Sequence, residues 1–146
     1  MRAVVQRVSS ASVVIGGETT GEIGKGLCVF IAIADTDTHE VTDWIINKLI
    51  NLRIFEDSEG KMNLSATQVG GEILLVSNFT LYGDTERGYR PSFSKSSRPD
   101  FAEPFYDEFV RRLRERHQYK VATGSFGAMM DISLTNDGPV TVIIEK

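Results

Sequence analysis

Two short segments of the chain place small polar side chains where they could act on a substrate. The first, Ser77-Asn78-Phe79-Thr80, adds two hydroxyls and an amide to the end of an apolar run. The second, Asn136-Asp137-Gly138-Pro139-Val140-Thr141, contains an Asp-Gly pair. Taken alone, the first segment is more typical of a strand whose hydroxyls pair with neighbouring groups, and the second is more typical of a tight turn built on Asp-Gly. A threonine hydroxyl such as that of Thr80 becomes nucleophilic beside a base, and the sequence offers no evident one.

Other familiar catalytic groups are largely missing from the sequence. The histidines His39 and His117 fall at a predicted helix start and helix end among charged residues, which predicts solvated side chains. The acidic stretch 35–43 lacks the glycine and terminal glutamate of a calcium loop and has no zinc spacing. We interpret it as carboxylates that complement a helix N-terminus. The sequence therefore predicts neither a metal nor a cofactor.

The composition predicts a single globular domain over residues 1–146. The chain is 41% hydrophobic and 25% charged, as ordinary globular proteins are. Its longest apolar run, Leu27 to Ala34, is too short for a membrane span, and no export signal is evident. The single cysteine, Cys28, lies inside that run, which predicts a packing residue in a reducing cytoplasm. We expect a cytoplasmic protein with no membrane association.

The charge distribution limits how the protein can bind nucleic acid. A net charge of −4 argues against a protein that coats duplexes, since such proteins present a broad basic face. The segment from Arg87 to Arg98 is locally basic and includes Tyr89 and Phe93. This composition fits a phosphate-and-base surface and a solvated loop equally well.

Hydrophobic periodicity predicts two helices among several strands. The first helix follows Asp37 and Glu40 and continues to Leu52, and the second spans Asp100 to His117. A Gly16-Gly17 hairpin turn follows the first strands. The predicted strands are Arg2 to Val8, Ala11 to Ile15, Leu27 to Ile33, Glu72 to Leu81, Lys120 to Thr123, Met129 to Thr135 and Val140 to Glu145. This order predicts an α+β fold with a mainly antiparallel, barrel-like sheet and two helices packed against it.

Seven ordered blocks of the sequence together resemble the D-aminoacyl-tRNA deacylase family over essentially the full length. They are MRAVVQRV, GEIGKGL, NLRIFED, GKMNLS, GGEILLVSNFTLYGDT, RPSF and TGSFGAMMDISLTNDGPVT. One position departs from the family pattern, because Asn78 stands where glutamine is usual. Asparagine keeps the amide group on a side chain that is one methylene shorter. We therefore expect the polar contact of the amide to shift and the function to persist.

The resemblance implies an enzyme that removes D-amino acids, or glycine, from the 3′ end of tRNA. It implies a homodimer in which Gly138-Pro139, joined by a cis peptide bond, enters the partner's active site and excludes L-amino acids. Arg7 would hold that element in place. Ser77, Asn78, Phe79 and Thr80 would line the pocket at the ester. Phe126 and Met130 would form an apolar bed for the terminal adenine, although their spacing alone is more typical of core packing.

Two questions of function remain open at this stage. Within the family reading, hydrolysis through backbone N–H groups and the 2′-hydroxyl of the RNA is preferred over attack by Thr80. Outside it, the chain could be a binding module for RNA 3′ ends that uses the segment from Arg87 to Arg98 and Phe126 without cleavage.

Overall fold

The computed structural model describes all 146 residues as one sheet with two helices and a short hairpin. The helices are α1 (His39–Asn51) and α2 (Pro99–Arg116), and Phe79–Tyr82 forms a 3₁₀ helix. The strands are β1 (Arg2–Ile15), β2 (Glu18–Ile23), β3 (Gly26–Ala32), β4 (Phe55–Glu56), β5 (Met62–Leu64), β6 (Glu72–Ser77), β7 (Val121–Thr123) and β8 (Asp131–Glu145). The α+β fold class is confirmed.

The two terminal strands are longer than the sequence predicted. Arg2 to Val8 and Ala11 to Ile15 belong to one strand, β1, which runs through the polar pair Ser9-Ser10. Likewise, Met129 to Thr135 and Val140 to Glu145 fall on the single strand β8. The two strands pair antiparallel along their length, with register shifts between Gln6 and Ser10. The breaks seen in the hydrophobic pattern are therefore bulges within long strands.

The sheet is mainly antiparallel, as the sequence predicted, but it also contains two parallel pairs that the sequence did not predict. Its order is β2-β1-β3-β6-β7. β3 and β2 pair with successive halves of β1, and β8 pairs with β1 along its opposite edge. β6 pairs parallel to β3 and to β7. The reason lies in the connections, because α1 lies between β3 and β6 and α2 lies between β6 and β7. Parallel neighbouring strands need such crossover helices. β3 and β6 are buried on both faces of the sheet, which explains their continuous apolar runs.

The sheet curls until its ends meet, which gives the barrel-like shape. A side chain added at Gly21 of β2 would lie 2.6 Å from the carbonyl oxygen of Thr123 in β7. Glycine therefore permits the close approach of these two strands. Inside the curl is a smaller core that includes Cys28, Leu74 and Val76. Cys28 is fully buried, as predicted, and burial raises the pKa of its thiol to about 12.

The two helices cover the opposite face of the sheet and form the larger core. Ile45, Ile46 and Leu49 of α1 and Phe109 and Leu113 of α2 are completely buried there. The predicted span of α2 is correct to within one residue at each end. The helices are joined by ion pairs, in which Asp43 contacts the guanidinium groups of Arg112 and Arg116. No helix has the length and hydrophobicity that a membrane span requires.

Two predictions about polar residues near the helix ends are wrong. Asp37 does not cap α1, since that position belongs to Thr38. Instead, the buried Asp37 carboxylate lies 2.5 Å from the amino group of Met1 and accepts a hydrogen bond from the Ala34 N–H at 2.8 Å. His117 is also buried rather than solvated, at 2% exposure, with Nε2 2.8 Å from the Gly71 carbonyl oxygen. Burial lowers the pKa of His117.

Candidate active site

A cleft of about 570 Å³ opens where the parallel strands β3 and β6 end. Crevices at the carboxyl ends of parallel strands are common ligand sites in folds that contain crossover helices. Most of its lining is apolar, with Phe30, Val76 and Ile132 among the contributors. The polar groups concentrate at one wall, formed by Ser77 and Asn78, and at the start of α2. Such a site suits a ligand with an apolar body and a few polar atoms.

The polar wall of the cleft is shaped by Asn78. β6 ends at Ser77, and the Asn78 N–H donates to the Ile31 carbonyl oxygen at 2.7 Å. The Asn78 Oδ1 atom then accepts hydrogen bonds from the Thr80 N–H at 3.2 Å and from the Thr80 hydroxyl at 2.6 Å. This cap starts the 3₁₀ helix and turns the chain out of the sheet. The predicted strand through Leu81 is therefore wrong after Ser77.

Thr80 differs from the other residues of its segment. Ser77, Asn78 and Phe79 line the cleft, whereas Thr80 does not. Its hydroxyl donates to the Asn78 amide oxygen, a group that cannot remove a proton at neutral pH. The geometry gives Thr80 a structural contact and supplies no base to activate it.

Phe126 and Met130 lie in the same cleft as Ser77, as the family resemblance implied. Both are half-buried, and the Phe126 ring lies 6.0 Å from the ring of Tyr106, which anchors it to the larger core. The Met130 sulfur occupies the space that a side chain at position 124 would need, so Gly124 lets it lie close to the backbone. Tyr106 is itself fixed by its hydroxyl, which donates to the Leu75 carbonyl oxygen at 2.9 Å.

Sequence reasoning missed the contribution of the basic segment to this cleft. Ser96 and Ser97 line it, and the Ser96 hydroxyl is buried without a hydrogen-bond partner. The Ser97 hydroxyl donates to the Asp35 carboxylate at 2.5 Å, which ties the segment to the end of β3. Phe93 packs edge-on against Phe79 at 5.1 Å. No local pattern announces these contacts, because they join residues far apart in the chain.

Gly138 and Pro139 form an exposed bulge on β8 that does not line the cleft. The peptide bond between them is cis. The Arg7 side chain, 6% exposed, lies beneath the bulge. Its Nε donates to the Asp137 carbonyl oxygen at 2.8 Å, and its Nη1 donates to the Ile54 carbonyl oxygen at 2.6 Å.

A second set of hydrogen bonds closes the base of the bulge. The Asn136 side-chain amide donates to the carbonyl oxygens of Arg7 and Val140, both at 3.0 Å. The Asp137 carboxylate also pairs with Arg7, at 3.1 Å from its Nε. Arg7 and Asn136 therefore fix the shape of the bulge from both sides, through contacts that a flexible surface turn would lack.

The chain is thus an α+β protein with a candidate ligand cleft at the carboxyl edge of its parallel strands. Residues 4–145 match the family model for D-Tyr-tRNA(Tyr) deacylase. The chain is 50% identical to the D-aminoacyl-tRNA deacylase of Thermosipho melanesiensis, over 100% of this chain and 97% of that protein. It is 54% identical to the D-aminoacyl-tRNA deacylase of Chlorobaculum parvum, over 100% and 98%. The chain belongs to the D-Tyr-tRNA(Tyr) deacylase family and is an enzyme of the hydrolase class.

Solved structures show the same fold over the whole chain. A structure described as c-Myc DNA Unwinding Element Binding Protein is 41% identical and superposes with a TM-score of 0.95. The superposition covers 100% of this chain and 99% of the chain in that structure. The sheet and the helices therefore belong to an architecture that this protein shares with that structure.

Proposed function

We propose that the protein hydrolyses the ester bond of D-aminoacyl-tRNA, and of glycine attached to tRNA, releasing the free amino acid and the tRNA. One observation carries this proposal: a single cleft unites Ser77, Asn78 and Phe79 with Phe126 and Met130. An aromatic and a thioether side chain suit a terminal adenine, and the polar wall suits the ester. The names of the relatives and the family model support the same activity.

Chiral selection is assigned to the Gly138-Pro139 bulge of a partner subunit. The bulge is exposed, rigidly supported by Arg7 and Asn136, and lies outside the cleft of its own chain. In a homodimer it can enter the other subunit's cleft. Its main-chain carbonyls would hold the substrate's amino group and occupy the space of an L side chain. A D side chain points away from them, and glycine has no side chain to exclude.

An apolar row on the sheet supports the homodimer. Val4 of β1 pairs with Phe30 of β3 on one side and with Ile143 of β8 on the other. Ile143 is 67% exposed, and neither helix covers this face. A two-fold contact through such a row would bury it and bring the bulge of one chain toward the other. The second proposed partner is the 3′ end of tRNA. The proposed location is the cytoplasm, where Cys28 stays reduced.

The proposed mechanism uses the backbone and the substrate rather than an activated side chain. The 3₁₀ helix begins at Phe79, and the first N–H groups of a helix lack intrahelical partners. The Thr80 N–H already donates to Asn78 Oδ1, which leaves the Phe79 N–H for the substrate. Such a group can stabilise the oxyanion that forms when water attacks the ester carbon. The 2′-hydroxyl of the terminal ribose assists proton transfer to the departing 3′ oxygen. Thr80 has no role as a nucleophile in this scheme.

A deacylation assay tests the proposal directly. D-aminoacyl-tRNA, L-aminoacyl-tRNA and glycyl-tRNA are incubated with the wild-type protein, and the remaining charged tRNA is measured over time. We expect the D and glycine esters to be cleaved and the L ester to be spared. If all three survive while the protein binds charged and uncharged tRNA equally well, the chain is a binding module for RNA 3′ ends.

A further inference from the structure

A second groove, separate from the cleft, lies where β2 meets β7 beside the end of α2. Its volume is about 440 Å³, and seven of its eight lining residues are glycine or polar. Two cations, Arg114 and Lys120, line the groove together with Thr19, Thr20 and Thr123, which carry hydroxyls. One carboxylate, Glu22, also lines the groove, so the cations outnumber the acid. Cations and hydroxyls grouped in this way form the chemistry that binds a phosphate.

Arg114 is exceptional among the arginines of α2. Arg111, Arg112 and Arg116 each pair with a carboxylate of Glu108, Glu115 or Asp43. Arg114 makes no ion pair and only long hydrogen bonds, 3.3 and 3.4 Å, to the Val121 carbonyl oxygen. These contacts turn its guanidinium toward β7. The charge of Arg114 is therefore positioned by the fold yet left without a counter-ion.

The other groups of the groove also keep unused hydrogen-bonding capacity. Lys120 forms no ion pair, and the Thr19 and Thr123 hydroxyls make no hydrogen bond within the chain. The Thr20 hydroxyl makes one long bond, 3.5 Å, to the Val13 carbonyl oxygen. Gly21 allows β2 to approach β7 closely enough to join these residues in one depression. The cations and the hydroxyls therefore lie together in one groove.

One edge of the groove, at Thr123, lies close to the cleft along the chain. Thr123 in the groove and Phe126 in the cleft are three residues apart, so their Cα atoms are separated by at most about 11 Å. If the terminal adenine of an RNA rests on Phe126, the nucleotides that precede it can extend from the cleft to the groove. We propose that the groove formed by Arg114, Lys120 and Thr123 binds a backbone phosphate of the tRNA next to its 3′-terminal nucleotide. This subsite rests on the proposed function.

A comparison of two substrates tests the subsite. D-aminoacyl-tRNA carries the backbone phosphates, whereas D-aminoacyl-adenosine has the same ester and none of them. In the double variant Arg114→Gln, Lys120→Gln we expect KM for the tRNA substrate to rise roughly threefold to tenfold, with hydrolysis of D-aminoacyl-adenosine unchanged. The slope of log(kcat/KM) against log salt should become shallower by about 0.7 for each phosphate that the groove no longer binds. The control is Lys48→Gln, an exposed lysine on α1 that contacts Trp44.

Each outcome of this comparison bears on one proposal. If the double variant and Lys48→Gln show the same KM and salt slope for tRNA, the groove binds no phosphate and the subsite is wrong. If the double variant slows both substrates equally at unchanged thermal stability, the effect lies in the cleft and the subsite is also wrong. Thr123→Val, which removes one hydroxyl and no charge, should raise KM for tRNA alone. Failure of the wild-type protein to cleave either substrate refutes the proposed function instead.

Discussion

Asn78 organises the polar wall of the cleft through a single oxygen atom. Its Oδ1 accepts both the N–H and the hydroxyl of Thr80, so the shorter amide caps a helix locally. A glutamine, usual at this position in the family, has one more methylene and fits such a local cap less well. In this chain the shorter amide of Asn78 both holds Thr80 and lines the cleft.

Replacing Thr80 with alanine tests the nucleophile directly. The Thr80 hydroxyl donates to an amide oxygen and has no base beside it, so its loss removes one hydrogen bond. Such a bond contributes about 0.5–1.5 kcal/mol, and we expect kcat to fall by no more than about tenfold. In single-turnover measurements, a loss of about 10⁴-fold at normal tRNA binding would restore Thr80 as nucleophile. The proposed mechanism also predicts that the wild-type enzyme does not hydrolyse a D-aminoacyl ester of 2′-deoxyadenosine, because that substrate lacks the 2′-hydroxyl that assists proton transfer.

Removing the Asn78 side chain should have a larger effect than removing the Thr80 hydroxyl. Asn78→Ala deletes the cap of the 3₁₀ helix, which should cost about 1 kcal/mol of unfolding free energy. It should also reduce turnover more than Thr80→Ala, because the whole polar wall loses its shape. Denaturant melts and initial rates give the two values. Asn78→Asp keeps the accepting oxygen and is the control for stability; equal melts of the alanine and wild-type proteins would contradict the cap.

The bulge on β8 is an element whose shape depends on having no side chain at position 138. A Cβ there would collide with the Val140 nitrogen and with the Asn136 amide, which bridges the base of the bulge. We therefore expect Gly138→Ala to lower kcat/KM for D-aminoacyl-tRNA by about 100-fold, since displacements near 1 Å have effects of that size. Binding of adenosine to the cleft should not change. Gly24→Ala, where the nearest atom lies 4.0 Å away, is the matched control.

The end of α2 gives the fold a dependence on pH. His117 is buried with its Nδ1 atom unpartnered, and burial lowers its pKa below the ordinary 6.5. Its contribution to stability is complete above about pH 6.5 and is lost as the pH falls, because the unfolded chain takes up the proton first. We expect Tm to drop between about pH 7.5 and about pH 5.5. The drop should shrink in His117→Gln and persist in His39→Gln; an identical drop in both variants would contradict this assignment.

Periodicity predicted the elements well where each one is locally consistent. The span of α2 follows from its apolar stripe and its early prolines, and the burial of Cys28 follows from its apolar run. Periodicity failed where contacts between residues far apart in the chain determine the local structure. The bulges of β1 and β8 depend on Arg7, which bonds a carbonyl 130 positions away. The burial of His117 depends on Gly71, and the parallel pairing of β6 depends on both crossover helices.

The candidate site was predicted through family resemblance more than through chemistry. Spacing alone favoured core packing for Phe126 and Met130, and the structure places them both against the core and in the cleft. Phe30 was missed because it stands in a plain apolar run, and Ser96 was missed because the basic composition of its segment indicated a phosphate surface or a solvated loop rather than a cleft wall. The role of Asn78 as a helix cap was also missed, since it depends on the chain leaving the sheet at Ser77. The roles of the named site residues remain predictions.

At the scale of the whole molecule, one chain holds its cleft and its bulge apart. Gly138 and Pro139 contribute nothing to the wall of the cleft in their own chain. If both are needed for selective hydrolysis, a single subunit is incomplete, and its missing part can come from a second copy. A two-fold symmetric pair would then contain two composite sites. This arrangement makes a prediction that no property of an isolated chain can mimic.

Two impaired variants should regain activity when they share a dimer. Gly138→Ala keeps an intact cleft and lacks a working bulge, whereas Asn78→Ala keeps the bulge and lacks an ordered cleft. A mixed dimer contains one site in which both parts are native. Random exchange of equal amounts should therefore restore about a quarter of wild-type activity. The readout is D-aminoacyl-tRNA cleavage after co-refolding, with each variant refolded alone as the control. If the mixture stays as impaired as its components while size-exclusion chromatography shows dimers, the bulge acts within its own chain or not at all.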